Sequence, residues 1–186
     1  MEALKEFISN GLTQLTLVAS IFIVVCLLII FIKPLQKIKI ISETILYFKS
    51  KAILWSGIIA LVATTGSLFF SDIMGYNPCR LCWYQRIFMY PIVILSIVGL
   101  SKKSKEVMSY IVTLSFFGWV IALYHYLMQR GLVEASNCTI VGYSSSCSST
   151  FMLDYGFITI PFMALVAFTL IIGLWLIQLE DKRWFK

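Results

Sequence analysis

The chain has 186 residues, 60% of them hydrophobic and only 13% charged, with a formal net charge of +6 and a mean hydropathy of +0.90. So much apolar surface behind so few charges excludes a water-soluble domain, and the length fits a single domain. The basic residues sit in short runs between apolar stretches, the pattern of membrane orientation and not of a nucleic-acid partner.

A spanning helix needs ~20 mostly apolar residues to cross ~30 Å of hydrocarbon. The first stretch that qualifies is roughly Leu12–Ile32, stopped by Lys33 and Pro34. It has no basic n-region and no small-residue cleavage site, so a permanent span is expected and not a removable leader. Residues 33–51 carry five lysines against Glu43, with Ile38, Ile41, Ile45 and Phe48 at helical spacing. An amphipathic helix on an anionic membrane surface and a plain basic linker both fit. Four more spans follow, at about Ala52–Phe70, Trp83–Leu100, Val107–Met128 and Phe157–Leu179, with Pro91 expected to kink the third span.

With five spans, the basic segments 33–51, 101–106 and 180–186 share one side, which the positive-inside rule makes the cytoplasm. The N-terminus, the segment 71–82 and the loop 129–156 then lie outside, and the C-terminus inside. The predicted organisation is a span and basic linker over 1–51, a four-helix membrane bundle over 52–179, and a basic tail over 180–186.

Cys26 falls in the middle of the first span, where a small apolar side chain is at home. Cys79, Cys82, Cys138 and Cys147 all fall on the predicted outer side, where pairing is expected. Cys79-Arg80-Leu81-Cys82 is a C-x-x-C motif, whose small ring can open and reclose without large backbone motion. The third span is expected to begin near Cys82, so the unpaired N–H groups of its first turn should favour a thiolate there. Arg86, one turn deeper on the same face, must meet the bundle or a polar ligand, or else reach back to the interface. His125 and Gln129 share one face near the outer end of the fourth span, at the expected depth of Arg86. A packing histidine and a proton donor to a reduced acceptor both fit that position.

Cys138 and Cys147 lie within the outer loop, flanked by serines. A structural disulfide, a zinc site shared by all four outer cysteines, and a relay of two exchanging pairs are all open on spacing alone.

The run Pro78-Cys79-Arg80-Leu81-Cys82-Trp83-Tyr84-Gln85-Arg86 resembles the P-C-x-L-C-x-Y-[QE]-R signature of the DsbB family of disulfide bond formation proteins, and most of all its shorter Gram-positive BdbC type. Ile87 to Pro91, the His125-x-x-x-Gln129 pair and Tyr155 to Pro161 extend the likeness, which covers about residues 52–179. The resemblance implies a four-helix membrane bundle in a bacterial cell membrane, here with one extra N-terminal span. It implies that Cys138 and Cys147 oxidise a DsbA-like thioredoxin-fold partner outside the cytoplasm. Electrons would pass to Cys79 and Cys82, then to a membrane quinone, menaquinone or ubiquinone, with Cys82 next to the ring, Arg86 against a quinone oxygen and His125 in the same pocket. Such a protein is a quinone-dependent enzyme that generates disulfides.

Other classes make different demands. Import of reducing power needs cysteines reachable from both faces, and the four outer cysteines do not offer that. A scaffold held by two structural disulfides would keep both pairs oxidised beside a reduced partner. A quinone reductase resembling vitamin K epoxide reductase shares the C-x-x-C logic, but the residues after Cys82 resemble DsbB instead.

Overall fold

The computed structural model describes residues 2–31, 39–133 and 146–179. These residues form an all-α membrane protein in which five helices are long and apolar enough to span. In chain order the elements are α1 (Glu2–Phe31), α2 (Lys39–Ser50), α3 (Ala52–Leu68), a π-helical turn (Phe69–Ile73), α4 (Arg80–Ser101), α5 (Val107–Gln129) and α6 (Ile160–Leu179).

Three boundaries differ from the hydropathy reading, each for a local reason. α1 starts at Glu2 and not Leu12, because its polar first turn is itself helical, with Lys5 and Glu2 paired at 3.2 Å. At 1.5 Å per residue its 30 residues reach about 45 Å, more than the hydrocarbon thickness. α4 starts at Arg80, two residues before the predicted Cys82, because the extended backbone of Cys79 caps it. α6 starts at Ile160 and not Phe157, since Asp154 and Ile158 form a tight turn with exchanged backbone hydrogen bonds of 3.0 and 2.9 Å. Tyr155 and Gly156 both take positive φ in that turn. Pro161 then enters the first turn of α6, where a missing N–H costs nothing.

The bundle is α3 to α6, each packed on its sequence neighbour, with α6 closing back on α3. The contacts fix an antiparallel register. Between α3 and α4, Gly57 lies against Ser96 and Ser67 against Arg86. Between α5 and α6, the Trp119 indole N–H donates to Thr169 at 3.0 Å, and Tyr126 meets Phe162. Apolar side chains gain little from leaving lipid for a helix interface, so close packing has to supply the attraction. Small residues make it possible: Ser56, Ala60, Ser96, Ser115 and Ala122 are buried, and Gly118 makes room for the fully buried Phe168 ring. α4 continues as one helix across Pro91.

The linker is helical where it is described. Phe48 of α2 turns inward, 5.5 Å from Trp55 and 6.4 Å from Phe22 of α1 between ring centroids, so α2 packs on the bundle. This topology puts Lys49, Lys51, Lys102, Lys103 and Lys105 at the end of the bundle away from Cys79 and Cys82.

Candidate redox site

Cys79 sits where the chain turns into α4. Pro78 precedes it, its own backbone is extended (φ −75°, ψ 174°), and its sulfur accepts a hydrogen bond from the Cys82 N–H at 3.4 Å. The helix-end stabilisation expected for Cys82 therefore falls on Cys79, which is the capping residue and not part of the first turn. The two side chains are free thiols with sulfurs 3.3 Å apart, Cys79 almost fully buried and Cys82 half-buried. The Cys82 thiol donating to the Cys79 sulfur holds Cys79 well below the ordinary cysteine range. A hydrogen bond and the electrostatic field from His125 act the same way, against the upward pull of burial.

His125 comes from α5 and is buried. Its Nε2 lies 3.6 Å from the Cys79 sulfur and 3.1 Å from the Cys147 carbonyl oxygen. A carbonyl can only accept, so Nε2 carries a proton and acts as donor to both. The Gln85 amide, buried one turn after Cys82, stands 3.0 Å from Nδ1 and donates to it. This fixes the ring tautomer and its tilt. The Cys79, Cys82 and His125 ligand atoms lie within 4.8 Å of one another, a spacing that can also hold a metal ion, but here Nε2 offers a proton and not a lone pair.

Cys147 is fully buried and disulfide-bonded, so it is no thiolate ligand in a four-cysteine zinc site. It packs in one apolar cluster with Cys79 and Met128. Cys138, expected to pair with it, lies outside the described residues. Gln129 donates from Nε2 to the Ser149 carbonyl at 3.0 Å, pinning the segment after Cys147 to the end of α5.

Arg86 is held at the contact between α3 and α4. Its Nε donates to Ser67 Oγ at 3.0 Å and its Nη2 to the Ser67 carbonyl at 3.1 Å, while the guanidinium carbon sits 5.1 Å from the Trp83 ring centroid. Cys82 and Arg86 both face a half-open cavity of about 330 Å³ lined by α1, α3, α4 and α6. That volume is in the range of small-molecule sites, and the lining is mostly apolar. Phe70, Tyr76 and Phe151 stack in sequence along its lining, with centroids 6.1 and 4.9 Å apart and planes 6° and 11° from parallel. The Tyr76 N–H bonds to the Phe70 carbonyl at 3.0 Å, so the π-helical turn sets this stack.

His125, expected beside Arg86, lies elsewhere. It is absent from the lining of the large cavity and borders a smaller one together with Cys79, Cys82 and Gln129. Cys82 borders both. Two contributors escaped the sequence reading. Gln85 stood inside the signature and could have been taken as the partner of a buried histidine. Ser67 carried no signal, being one of several hydroxyl residues on α3.

What this geometry supports is thiol–disulfide exchange at one end of a membrane bundle, and comparison with known proteins agrees. The family described as Disulfide bond formation protein DsbB matches residues 49–178, and the chain belongs to that family. It is a multi-pass membrane oxidoreductase that forms disulfides.

Among individual relatives, the SPbeta prophage-derived disulfide bond formation protein B of Bacillus subtilis (strain 168) is 44% identical over 62% of this chain and 77% of its own length. Disulfide bond formation protein C of the same organism is 41% identical over 63% and 84%. A probable disulfide formation protein C of Bacillus cereus is 39% identical over 66% and 88%. No solved structure matches the chain.

Proposed function

We propose that this protein reoxidises a DsbA-like thioredoxin-fold partner outside the cytoplasm and delivers the electrons to a membrane quinone. The cysteine end of the bundle faces outward, with the N-terminus out and the C-terminus in, because the lysine clusters sit at the opposite end. A thiolate of the partner attacks the disulfide of the Cys138/Cys147 pair, leaving the partner oxidised and that pair as two thiols. Those thiols reduce a Cys79–Cys82 disulfide in the same way.

The observation that carries the reading is the position of Cys82, which borders both the His125 side and the large cavity, whereas Cys79 borders only the former. The residues fit a quinone: an apolar cavity at membrane depth has a guanidinium and a thiol at one end, matching an apolar molecule with polar oxygens on its ring. A bound quinone supplies the acceptor for two electrons and two protons, and the dithiol that gives them closes to a disulfide. Arg86, held by Ser67, orients a ring oxygen and favours negative charge on it. His125, braced by Gln85, holds the Cys79 sulfur as a thiolate and so prepares it as nucleophile or leaving group in exchange with the outer pair.

The test is purified protein in lipid nanodiscs with a reduced thioredoxin-fold partner and added menaquinone or ubiquinone. Quinone reduction should require both cysteine pairs and stop with Cys82→Ser. A Cys79→Ser/Cys82→Ser variant that reduces quinone at the normal rate would end the proposal.

A further inference from the structure

α1 lies outside the family match, yet it forms a side of the large cavity. Leu12, Leu15, Thr16 and Ala19 line it, over about 10 Å of helix length. Most of α1 is exposed and apolar, as suits lipid: Phe7, Val18 and Leu28 lie on its open surface. Thr13 and Thr16 are its only buried side chains among the described residues, three apart and so on one face. Thr13 Oγ1 donates to Asp154 Oδ2 at 2.6 Å, tying α1 to the segment that follows Cys147. Thr16 satisfies its hydroxyl on the Leu12 carbonyl at 2.8 Å and lines the cavity. Leu12 rests on Gly66 of α3, where an added Cβ would come within 3.4 Å of it, and Phe22 meets Phe48 near the other end. A helix that only anchored the chain would need none of these contacts.

We propose that α1 is a retaining wall for the isoprenoid tail of the quinone, turning a lipid-facing groove between α3, α4 and α6 into a partly covered trough latched by the Thr13–Asp154 bond. The inference rests on the quinone reading above. Its physical basis is kinetic. A tail leaving lipid for an apolar trough gains little from hydrophobicity, since lipid is as apolar as the wall. What the cover changes is the path out, so the wall acts on the rate of release more than on capture. Ala19 lies about 10 Å along α1 from Leu12, which rests on Gly66 beside the Ser67 that holds Arg86, so the polar ring does not depend on Ala19.

The experiment compares menaquinone with four isoprene units to menadione, the same ring without a tail, on the full chain in nanodiscs. Binding and release are read by quenching of tryptophan fluorescence, Trp55 being part of the lining, and by the quinone extracted after washing. Thr13→Val, which keeps the shape and removes the hydroxyl, should speed release of the tailed quinone by about fivefold or more. Ala19→Trp, which fills the trough away from Arg86, should weaken the tailed quinone by about tenfold and leave menadione within about twofold. Val18→Trp, on the lipid face, should change neither. Equal effects on the two quinones, or wild-type release from both Thr13→Val and Ala19→Trp, would overturn the role of α1 while leaving the quinone reading intact. A wild-type protein that binds neither quinone would overturn both.

Discussion

The imidazole of His125 stands 3.6 Å from the sulfur of Cys79, and the same nitrogen reaches the carbonyl of Cys147 at 3.1 Å. One buried side chain thus touches the C-x-x-C pair and the backbone of the second cysteine segment. The contact places His125 among the thiols, where it adds to the hydrogen bond from Cys82 that lowers Cys79, the thiolate character the bare motif suggested for Cys82.

Removing the ring should therefore change Cys79 first. A cysteine held below its ordinary value of ~8.5 stays ionised as pH falls through neutrality, and loss of the stabilising partner moves the midpoint back up. In reduced His125→Ala, the ultraviolet absorbance of the Cys79 thiolate should titrate at higher pH than in wild type, and exchange with the outer pair should slow most in mildly acidic buffer. An unchanged midpoint would remove His125 from this role.

Gln85 acts through His125. Gln85→Leu leaves Nδ1 buried without its donor, a cost of about 1–3 kcal/mol, and frees the ring to turn. The thiolate midpoint should rise, by less than in His125→Ala, and the double variant should show no further rise. Additive shifts in the double variant would mean that Gln85 works by another route.

Ser67 positions Arg86. Ser67→Ala removes one of two hydrogen bonds to the guanidinium and keeps the other, to the backbone carbonyl. Quinone affinity should fall by about tenfold or less, under the full value of a hydrogen bond to a charged group because the backbone carbonyl still holds the guanidinium. Arg86→Lys should cost more, since an ammonium cannot reproduce the planar fork. Equilibrium binding in nanodiscs checks the order, and the reverse order would show that Ser67 holds the cavity and not the arginine.

Gly118 is a packing residue. A Cβ there would collide with the Phe168 ring, so Gly118→Ala should destabilise the bundle by about 1–3 kcal/mol. Thermal unfolding in detergent should show a lower Tm, and Phe168→Leu added to it should recover part of the loss. A Tm equal to wild type would mean that α5 and α6 can separate freely at this level.

The spans were legible because lipid imposes one demand on every residue between its surfaces, and long apolar runs are the only answer. Their ends were less so. Arg80 and Leu81 do not look like the start of a membrane helix, and that start depends on a sulfur acting as cap, a local geometry that hydropathy does not register. The cysteine motif and Arg86 were legible as chemistry. The facing of His125 was not, because helical spacing gives the face it shares with Gln129 but not the rotation of α5 against α4. That rotation shows in the bond from Gln85 of α4 to His125 of α5. The reach of α1 into the cavity had a faint signal, two threonines three apart in an apolar run, which reads equally well as ordinary membrane composition.

Tyr76, three residues before Cys79, is stacked on Phe151, four residues after Cys147. Each ring belongs to a strip of backbone that carries one of the redox partners, so the two strips share a hinge pin. On the proposed reading, a partner that displaces the segment after Cys147 would press through this stack on the threshold of α4 and on the rim of the Arg86 cavity together.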